Sequence, residues 1–229
     1  MDESIPEIRN ELLDYSRSST FKKNDDFKNH SRMLQLSLTF FLLFCAFYTC
    51  QNLATTVIDA DGLGSFGFYT LAALYGTLII SSFSSTAFMN KVGLYKCLFI
   101  GSLCHFAFVF ANIMPAVYAD YPSLRSGFLS LTTIKVVLVV SAMLNGFGAG
   151  ILWCSEGTYT SQCATERSKG YFFGLFWFFF MGSMVGGSLL GALILSQGFK
   201  QTWLYVTLAV MALTASLLFL LIRRPLPHQ

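Results

Sequence analysis

The residues of this sequence that could do chemistry are few, and they lie inside long apolar runs. Gln51 and Asn52 close the first run, Asn145 lies within the fourth, and Glu156 follows near the end of the fourth. A carboxylate or amide that faced lipid would be costly, so such groups usually face a packed bundle or a wet cavity. The chemistry predicted for them is the binding of a ligand or ion along a pathway. Trp153 and Tyr159 of the fourth run are predicted to line the same pathway.

Glu156 has two interpretations. As a functional group it would face the inside of the bundle, and as an ordinary helix-end charge it would lie at the membrane interface close to Arg167 or Lys169. His105, near the middle of the third run, favours a hydrogen bond between helices over a proton relay.

Catalytic and metal-binding motifs are absent. The sequence contains no Walker loop, no His-Glu-x-x-His, no Gly-x-Ser-x-Gly and no paired carboxylates in a credible cleft. None of the six cysteines forms a Cys-x-x-Cys pair, so we predict no structural disulfide, no metal and no cofactor. Nothing in the charge pattern indicates a nucleic-acid partner. We therefore predict that the protein is not an enzyme.

The elements that position these residues are six apolar runs. Only 12% of the 229 residues are charged and 54% are hydrophobic, whereas a soluble domain carries about 25% charged residues. A helix that crosses the hydrocarbon core needs about 20 apolar residues, and uniformly apolar runs of this length are helices rather than barrel strands. The sequence predicts an all-α membrane protein with spans at residues 33–53, 66–89, 97–117, 136–159, 172–195 and 203–222.

Basic residues predict the orientation of the spans. Residues 1–32 carry 13 charges and are expected to form a disordered polar tail. Counting Lys and Arg outside the spans places 12 on the side of the two termini and three on the other side. Since cytoplasmic loops carry the excess of Lys and Arg, both the tail and the end at 223–229 are predicted to be cytoplasmic. The Asn-x-Ser sequon that begins at Asn29 should then carry no glycan.

Glycines are spaced for close helix contact in the fourth and fifth runs. Each pair has the small-x-x-x-small spacing that lets two helices approach closely. One interpretation is static packing, and the other is a sliding surface in a protein that changes conformation. The pairs are Gly146 with Gly150, Gly182 with Gly186, and Gly187 with Gly191.

A short sequence pattern is repeated at the ends of the first and fourth runs. An aromatic residue stands three positions before Gln51 and again three positions before Glu156, as Tyr48 and Trp153. Spans one and four are equivalents in transporters built from 3+3 inverted repeats. This repeated pattern predicts that Gln51 and Glu156 are related by pseudo-symmetry and lie at opposite depths in the membrane.

The connection between the second and third runs resembles a loop of the major facilitator superfamily. That loop reads roughly Asp-Arg-x-Gly-Arg-Arg/Lys and ties helix ends together through charge–dipole contacts. Lys91, Gly93 and Lys96 match it, while Asn90 replaces the acid.

Two further stretches resemble the uncoordinated ninety-three family of that superfamily. They are the Gln51-Asn52 element and the block that runs from Gly146 through Trp153 and Glu156 to Tyr159. The resemblance implies a facilitator fold of twelve spans, of which this chain would be the amino-terminal six. It also implies roles known in the family, which include regulation of potassium channels and trafficking of membrane receptors. Ala142 stands where many proton-coupled facilitators have arginine, which argues against proton coupling.

Three hypotheses follow for function. The first is a non-enzymatic accessory protein that contacts the bilayer and binds a channel or receptor subunit through its glycine-rich helix faces. The second is a solute or ion transporter, in which Gln51, Asn145 and Glu156 line a central cavity and a second six-span half completes the protein. The third is a truncated, inactive half-transporter.

Overall fold

The protein is an all-helical membrane bundle in the residues that the structure describes. The computed structural model describes residues 29–53, 66–125 and 129–227. Six helical stretches there are long and apolar enough to cross a membrane, which confirms the predicted number of spans. The helices are α1 (Asn29–Leu53), α2 (Phe66–Val92), α3 (Leu94–Ala111), α4 (Ile113–Asp120), α5 (Leu131–Cys163), α6 (Lys169–Ser196) and α7 (Gln201–Phe219). The predicted tail lies outside the described residues except for its last four, which begin α1.

The third span consists of two helices, α3 and α4, that meet at Asn112. Pro115 has no N–H and cannot bond to the carbonyl oxygen of Ala111, so the helical ladder is interrupted there. Beside the break, the carbonyl oxygen of Phe108 accepts from Asn112 Nδ2 at 2.8 Å and from the Asn112 backbone N–H at 3.3 Å. The sequence predicted one uninterrupted helix over 97–117, and the proline accounts for the difference.

α1 and α5 lie at the centre of the bundle. In their most apolar stretches, 67% of the α1 residues and 56% of the α5 residues are buried, against 22% in α2 and in α6. Aromatic rings fill the space between α1, α5 and α6. Phe44 lies 5.6 Å from Trp153 and 5.0 Å from Phe180, measured between ring centroids. Such ring pairs add roughly 0.5–1.5 kcal/mol beyond burial, so they help to fix these three helices together.

Glycines of α5 bring that helix against the backbone of α2, and we call this contact the first seam. A side-chain carbon added at Gly146 would overlap the carbonyl oxygen of Leu74 and the hydroxyl of Thr77. One added at Gly150 would overlap the hydroxyl of Ser81. The predicted role of this glycine pair in packing therefore has a direct geometric basis.

Glycines of α6 approach α1 in the same way, and we call this contact the second seam. A carbon added at Gly187 would lie 2.6 Å from the carbonyl oxygen of Cys45, and one at Gly191 would lie 2.9 Å from Thr49. The other described glycines of α6 do not approach α1 as closely.

The two described chain ends meet at one end of the bundle, the terminal end. Asn29 pairs with the backbone of Leu226, since its Nδ2 donates to the carbonyl oxygen at 3.2 Å and its Oδ1 accepts from the N–H at 2.9 Å. At the opposite end, the carboxylate of Asp120 accepts hydrogen bonds from the N–H and hydroxyl of Thr202 at 2.8 and 2.7 Å. An even number of crossings requires that entry and exit lie on the same side.

Basic residues divide unequally between these two ends. Of the described Lys and Arg residues, seven lie at the terminal end and three at the opposite end. That the terminal end faces the cytoplasm stays a prediction from this distribution. The seven are Arg32, Lys91, Lys96, Arg167, Lys169, Arg223 and Arg224, and the three are Arg125, Lys135 and Lys200.

Candidate functional site

Polar side chains of three spans gather near the opposite end of the bundle. Gln51 Nε2 donates to the hydroxyl of Tyr75 on α2 at 2.7 Å. Tyr48 lies one turn before Gln51 on α1. Asn145 of α5 lies at the level of Tyr75, because the next residue of α5 contacts Leu74. We call Tyr48, Gln51, Tyr75 and Asn145 the polar cluster.

Three polar atoms of this cluster have no hydrogen-bond partner within the described part of the chain. Asn145 is completely buried, and both its amide oxygen and its amide nitrogen are unpaired. The Oε1 atom of Gln51 is buried and unpaired as well. A buried polar group left without a partner costs about 1–3 kcal/mol. These atoms can therefore accept from and donate to a small polar molecule, water included.

Glu156 is buried near the terminal end of the bundle. Its side chain is 5% exposed, and its Oε1 accepts a hydrogen bond from Thr160 at 2.7 Å. Lys169, one of the two cations named as partners, bonds instead to Glu166 at 2.7 Å. Its burial favours the interpretation that it faces the inside of the bundle, and a functional role for it stays a prediction.

Glu156 and Gln51 lie at opposite depths. Thr160, one turn beyond Glu156, lies 3.5 Å from the sulfur of Met33 at the start of α1, while Gln51 is at the end of that helix. At 1.5 Å per residue, Met33 and Gln51 are separated by roughly 27 Å along α1. The structure therefore brings Gln51 and Asn145 to one level and leaves Glu156 near the terminal end.

The other predicted pathway residues lie apart from the polar cluster. Trp153 packs among aromatic rings, 4.9 Å from Phe180 between centroids. Tyr159 is completely buried and donates to the carbonyl oxygen of Arg223 at 2.7 Å, so it holds the chain end. Asn52 is exposed at the end of α1.

His105 bonds within its own helix through one nitrogen. Its Nδ1 lies 2.8 Å from the carbonyl oxygen of Gly101, one turn earlier on α3. The ring itself contacts α1, with centroids 5.3 Å from Phe44 and 5.2 Å from Phe47. The sequence predicted a hydrogen bond between helices, whereas the hydrogen bond found lies within α3 and the contact with α1 is ring packing.

The loop that resembles the facilitator motif is a tight reversal between α2 and α3. Gly93 has a φ of 100°, which a residue with a side chain rarely adopts. Lys91 lies in the last turn of α2, where a cation stabilises the helix dipole. Lys96 lies in the first turn of α3, where it does not, and Asn90 is exposed.

Two polar partners escaped the sequence analysis. Tyr75 and Thr160 pair with Gln51 and Glu156, respectively. Thr160 stands four residues after Glu156, the spacing of neighbours on a helix face, and could have been found from that spacing. Tyr75 could not, because a pair between helices depends on how each helix is rotated.

Known proteins similar to this chain are UNC93-like. The UNC93-like protein MFSD11 of Xenopus tropicalis is 27% identical over 199 residues, which cover 83% of this chain and 40% of that protein. The protein unc-93 homolog A of Bos taurus is 27% identical over 74% of this chain and 35% of its own length. UNC93-like protein 3 of Arabidopsis thaliana is 27% identical over 71% of this chain and 32% of its own length. The chain thus spans about two fifths, or less, of each of these relatives.

The fold is that of a facilitator half. A solved D-xylose-proton symporter superposes with a TM-score of 0.65 over 84% of this chain and 48% of its own, at 14% identity, which shows the fold alone. No protein-family model matches the chain. The resemblance seen in the sequence is confirmed: the chain is a multi-pass membrane protein related to the UNC93-like proteins, with the fold of one six-span half of a major facilitator transporter.

Proposed function

We propose that this chain is a non-enzymatic accessory protein that binds another membrane protein, or a second six-span half, through the outer faces of α2 and α6. The observation that carries the proposal is the low burial of these two helices, 22% against 44–67% for the other spans. The seams hold α2 on α5 and α6 on α1, and leave the outer faces of both helices open. The matched region is 40% of the length of the Xenopus tropicalis relative, and a second six-span half is therefore included among the proposed occupants.

The open faces carry large aromatic and sulfur-containing side chains. On α2, Phe83 is 88% exposed, and on α6, Phe178 is 73% exposed. Aromatic residues and methionine are enriched in protein interfaces, and α6 adds Trp177, Met181 and Met184 to its exposed surface. A face of this composition suits tight contact with another helix.

A co-purification experiment tests this proposal. The full chain would be co-expressed with a potassium channel subunit, the partner class that the family resemblance implies, and captured in mild detergent. We expect Phe83→Ala combined with Phe178→Ala to abolish capture. Phe110→Ala, at a position 57% exposed on α3, should leave it intact. Equal capture by all three proteins, or no capture by the folded parent, would refute binding of that partner through this face.

The transporter hypothesis has one observation in its favour, the polar cluster. Buried amide atoms without partners suit a site that is filled transiently by a solute. If nothing binds there, Asn145→Leu removes two unpaired groups and leaves stability unchanged or higher. If a solute or ordered water binds, the same change abolishes flux or lowers stability.

Rubidium uptake in cells separates the two hypotheses further. The transporter hypothesis predicts uptake that Asn145→Leu abolishes and that Glu156→Gln reduces. An absence of uptake in the parent protein as well as both variants would count against transport and leave the accessory role as the working proposal.

A further inference from the structure

A small groove at the terminal end combines cations with an apolar floor. It has a volume of about 250 Å³ and lies between the start of α3 and the end of α7. We propose that this groove binds one anionic phospholipid, with the phosphate at Lys96 and Arg224 and an acyl chain along the floor. The residues that line the groove are Tyr95, Lys96, Phe99, Phe219, Leu220, Ile222 and Arg224.

The two cations in the groove, Lys96 and Arg224, would attract an anion. Neither Lys96 nor Arg224 forms an ion pair with any described carboxylate. The two described carboxylates nearest to this end, Glu156 and Glu166, already bond to Thr160 and Lys169. Two cations in one groove repel each other, and a bound anion lowers the electrostatic energy of both.

The start of α3 adds to the attraction. Lys96 lies in the first turn of this helix, and Gly93 gives it no side-chain cap. The first amide groups of a helix and its dipole favour negative charge. A lysine alone at this position would be slightly unfavourable to the helix, and a phosphate beside it reverses the sign of the local interaction.

The apolar floor selects a lipid over a free phosphate. Phe99 is half-buried, and Leu220 is 59% exposed at the edge of the groove. A free phosphate would leave these side chains uncovered, whereas an acyl chain covers them. Basic pockets between spans are the usual sites for anionic headgroups at a membrane surface.

The chain end is held so that Arg224 stays in place. The hydroxyl of Tyr159 donates to the carbonyl oxygen of Arg223 at 2.7 Å. Asn29 pairs with both backbone groups of Leu226. Arg224 lies between these two attachments, with its guanidinium carbon 5.8 Å from the centre of the Tyr95 ring. Preorganisation of this kind lowers the entropic cost of binding.

Native mass spectrometry of the full chain, titrated with phosphatidylserine and with phosphatidylcholine of the same acyl chains, tests the proposal. At roughly fivefold per basic residue, Lys96→Gln with Arg224→Gln should weaken phosphatidylserine binding about 25-fold. Phosphatidylcholine binding should not change. The matched control is Arg125→Gln with Lys135→Gln, which removes the same charge from the opposite end and should leave phosphatidylserine binding unchanged.

One further variant and one competition experiment complete the test. Tyr159→Phe retains both cations but frees the backbone of Arg223, and should weaken phosphatidylserine binding by a smaller factor. Millimolar inorganic phosphate should not displace the lipid. Unchanged binding in the Lys96 and Arg224 variant, an equal loss in the control, or displacement by phosphate would each overturn the proposal. If the double variant fails to fold, Arg224→Gln alone decides, since that exposed side chain makes no hydrogen bond to another helix in the described residues.

Discussion

The first and second seams use the same glycine spacing but hold their helices in different ways. In the first seam, the glycines of α5 press on the α2 backbone at Leu74 and on the small hydroxyl side chains of Thr77 and Ser81. The hydroxyl of Ser81 also donates across the seam to the carbonyl oxygen of Gly146, at 3.2 Å. The contact is therefore closed over at least one full helical turn.

The second seam is close only toward the end of α6. Gly187 approaches the α1 backbone, but an added carbon at Gly186 would lie 3.2 Å from the ring of Phe41, and one at Gly182 would lie 3.6 Å from it. An aromatic ring thus separates the helices where the spacing predicted the same closeness. Spacing permits a close approach, and the residues on the partner helix decide whether it occurs.

This difference bears on the two interpretations of the glycine pattern. Direct backbone contact, as in the first seam, suits static packing. In the second seam the Phe41 side chain separates part of α6 from α1, and a change in the position of that side chain would let α6 shift. We expect α2 to be the fixed side of the proposed binding face and α6 to be the side that moves. Substitutions at the glycines test this expectation.

The largest effect is expected from Gly146→Leu. Its side chain would overlap the α2 backbone, which cannot move aside, so the substitution should cost about 3 kcal/mol or more of stability. Thermal unfolding in detergent, followed by size-exclusion chromatography, measures the loss. Gly157→Leu on the same helix is the control, because nothing lies within 4 Å of a carbon added there. Equal losses in the two variants would mean that the first seam is not closed.

An intermediate effect is expected from Gly187→Ala. The added carbon would lie 2.6 Å from a backbone oxygen of α1, and the resulting strain of about 1–3 kcal/mol exceeds the gain of about 1 kcal/mol from replacing a helical glycine. The melting temperature should therefore fall. Gly174→Ala, with open space around the added carbon, should raise it. A rise in both variants would show that α6 is not held against α1 at this level.

The smallest effect, with the opposite sign, is expected from Gly182→Ala. A carbon 3.6 Å from the Phe41 ring makes an ordinary van der Waals contact, so the gain in helix propensity remains and stability should rise by up to about 1 kcal/mol. The same melting experiment applies. A fall comparable with that of Gly187→Ala would make the two seams alike and remove the basis of the comparison.

Much of the fold could be predicted because the spans are encoded locally. Long apolar runs interrupted by charged or glycine-containing turns give the number of helices, and Gly93 marks the sharp reversal between α2 and α3. The break in the third span could have been predicted from Pro115, which prevents one helical hydrogen bond. The mostly apolar residues around it hid this signal. Helix rotation is set by packing over the whole bundle and is not encoded in any one run.

The candidate site was less predictable for the same reason. Gln51, Asn145 and Glu156 were recognisable as rare polar groups, but their grouping required the structure. The pairing of Glu156 with Thr160 follows from their four-residue spacing, but local sequence could not show that Asn145 lacks a partner among the described residues. Lys96 lies at the start of α3 and Arg224 follows α7, so the two line one groove only because α3 and α7 pack together.

Photo-crosslinking from single positions tests the proposed binding face most directly. A photoreactive amino acid would replace Phe83 on α2 or Phe178 on α6, and, as controls, Phe110 on α3 or Leu217 on α7, all of them exposed in the isolated chain. In cell membranes, the first two positions should form adducts with protein, and the controls should form adducts with lipid only. Equal yields of protein adducts from all four positions would contradict the claim that α2 and α6 form the binding face.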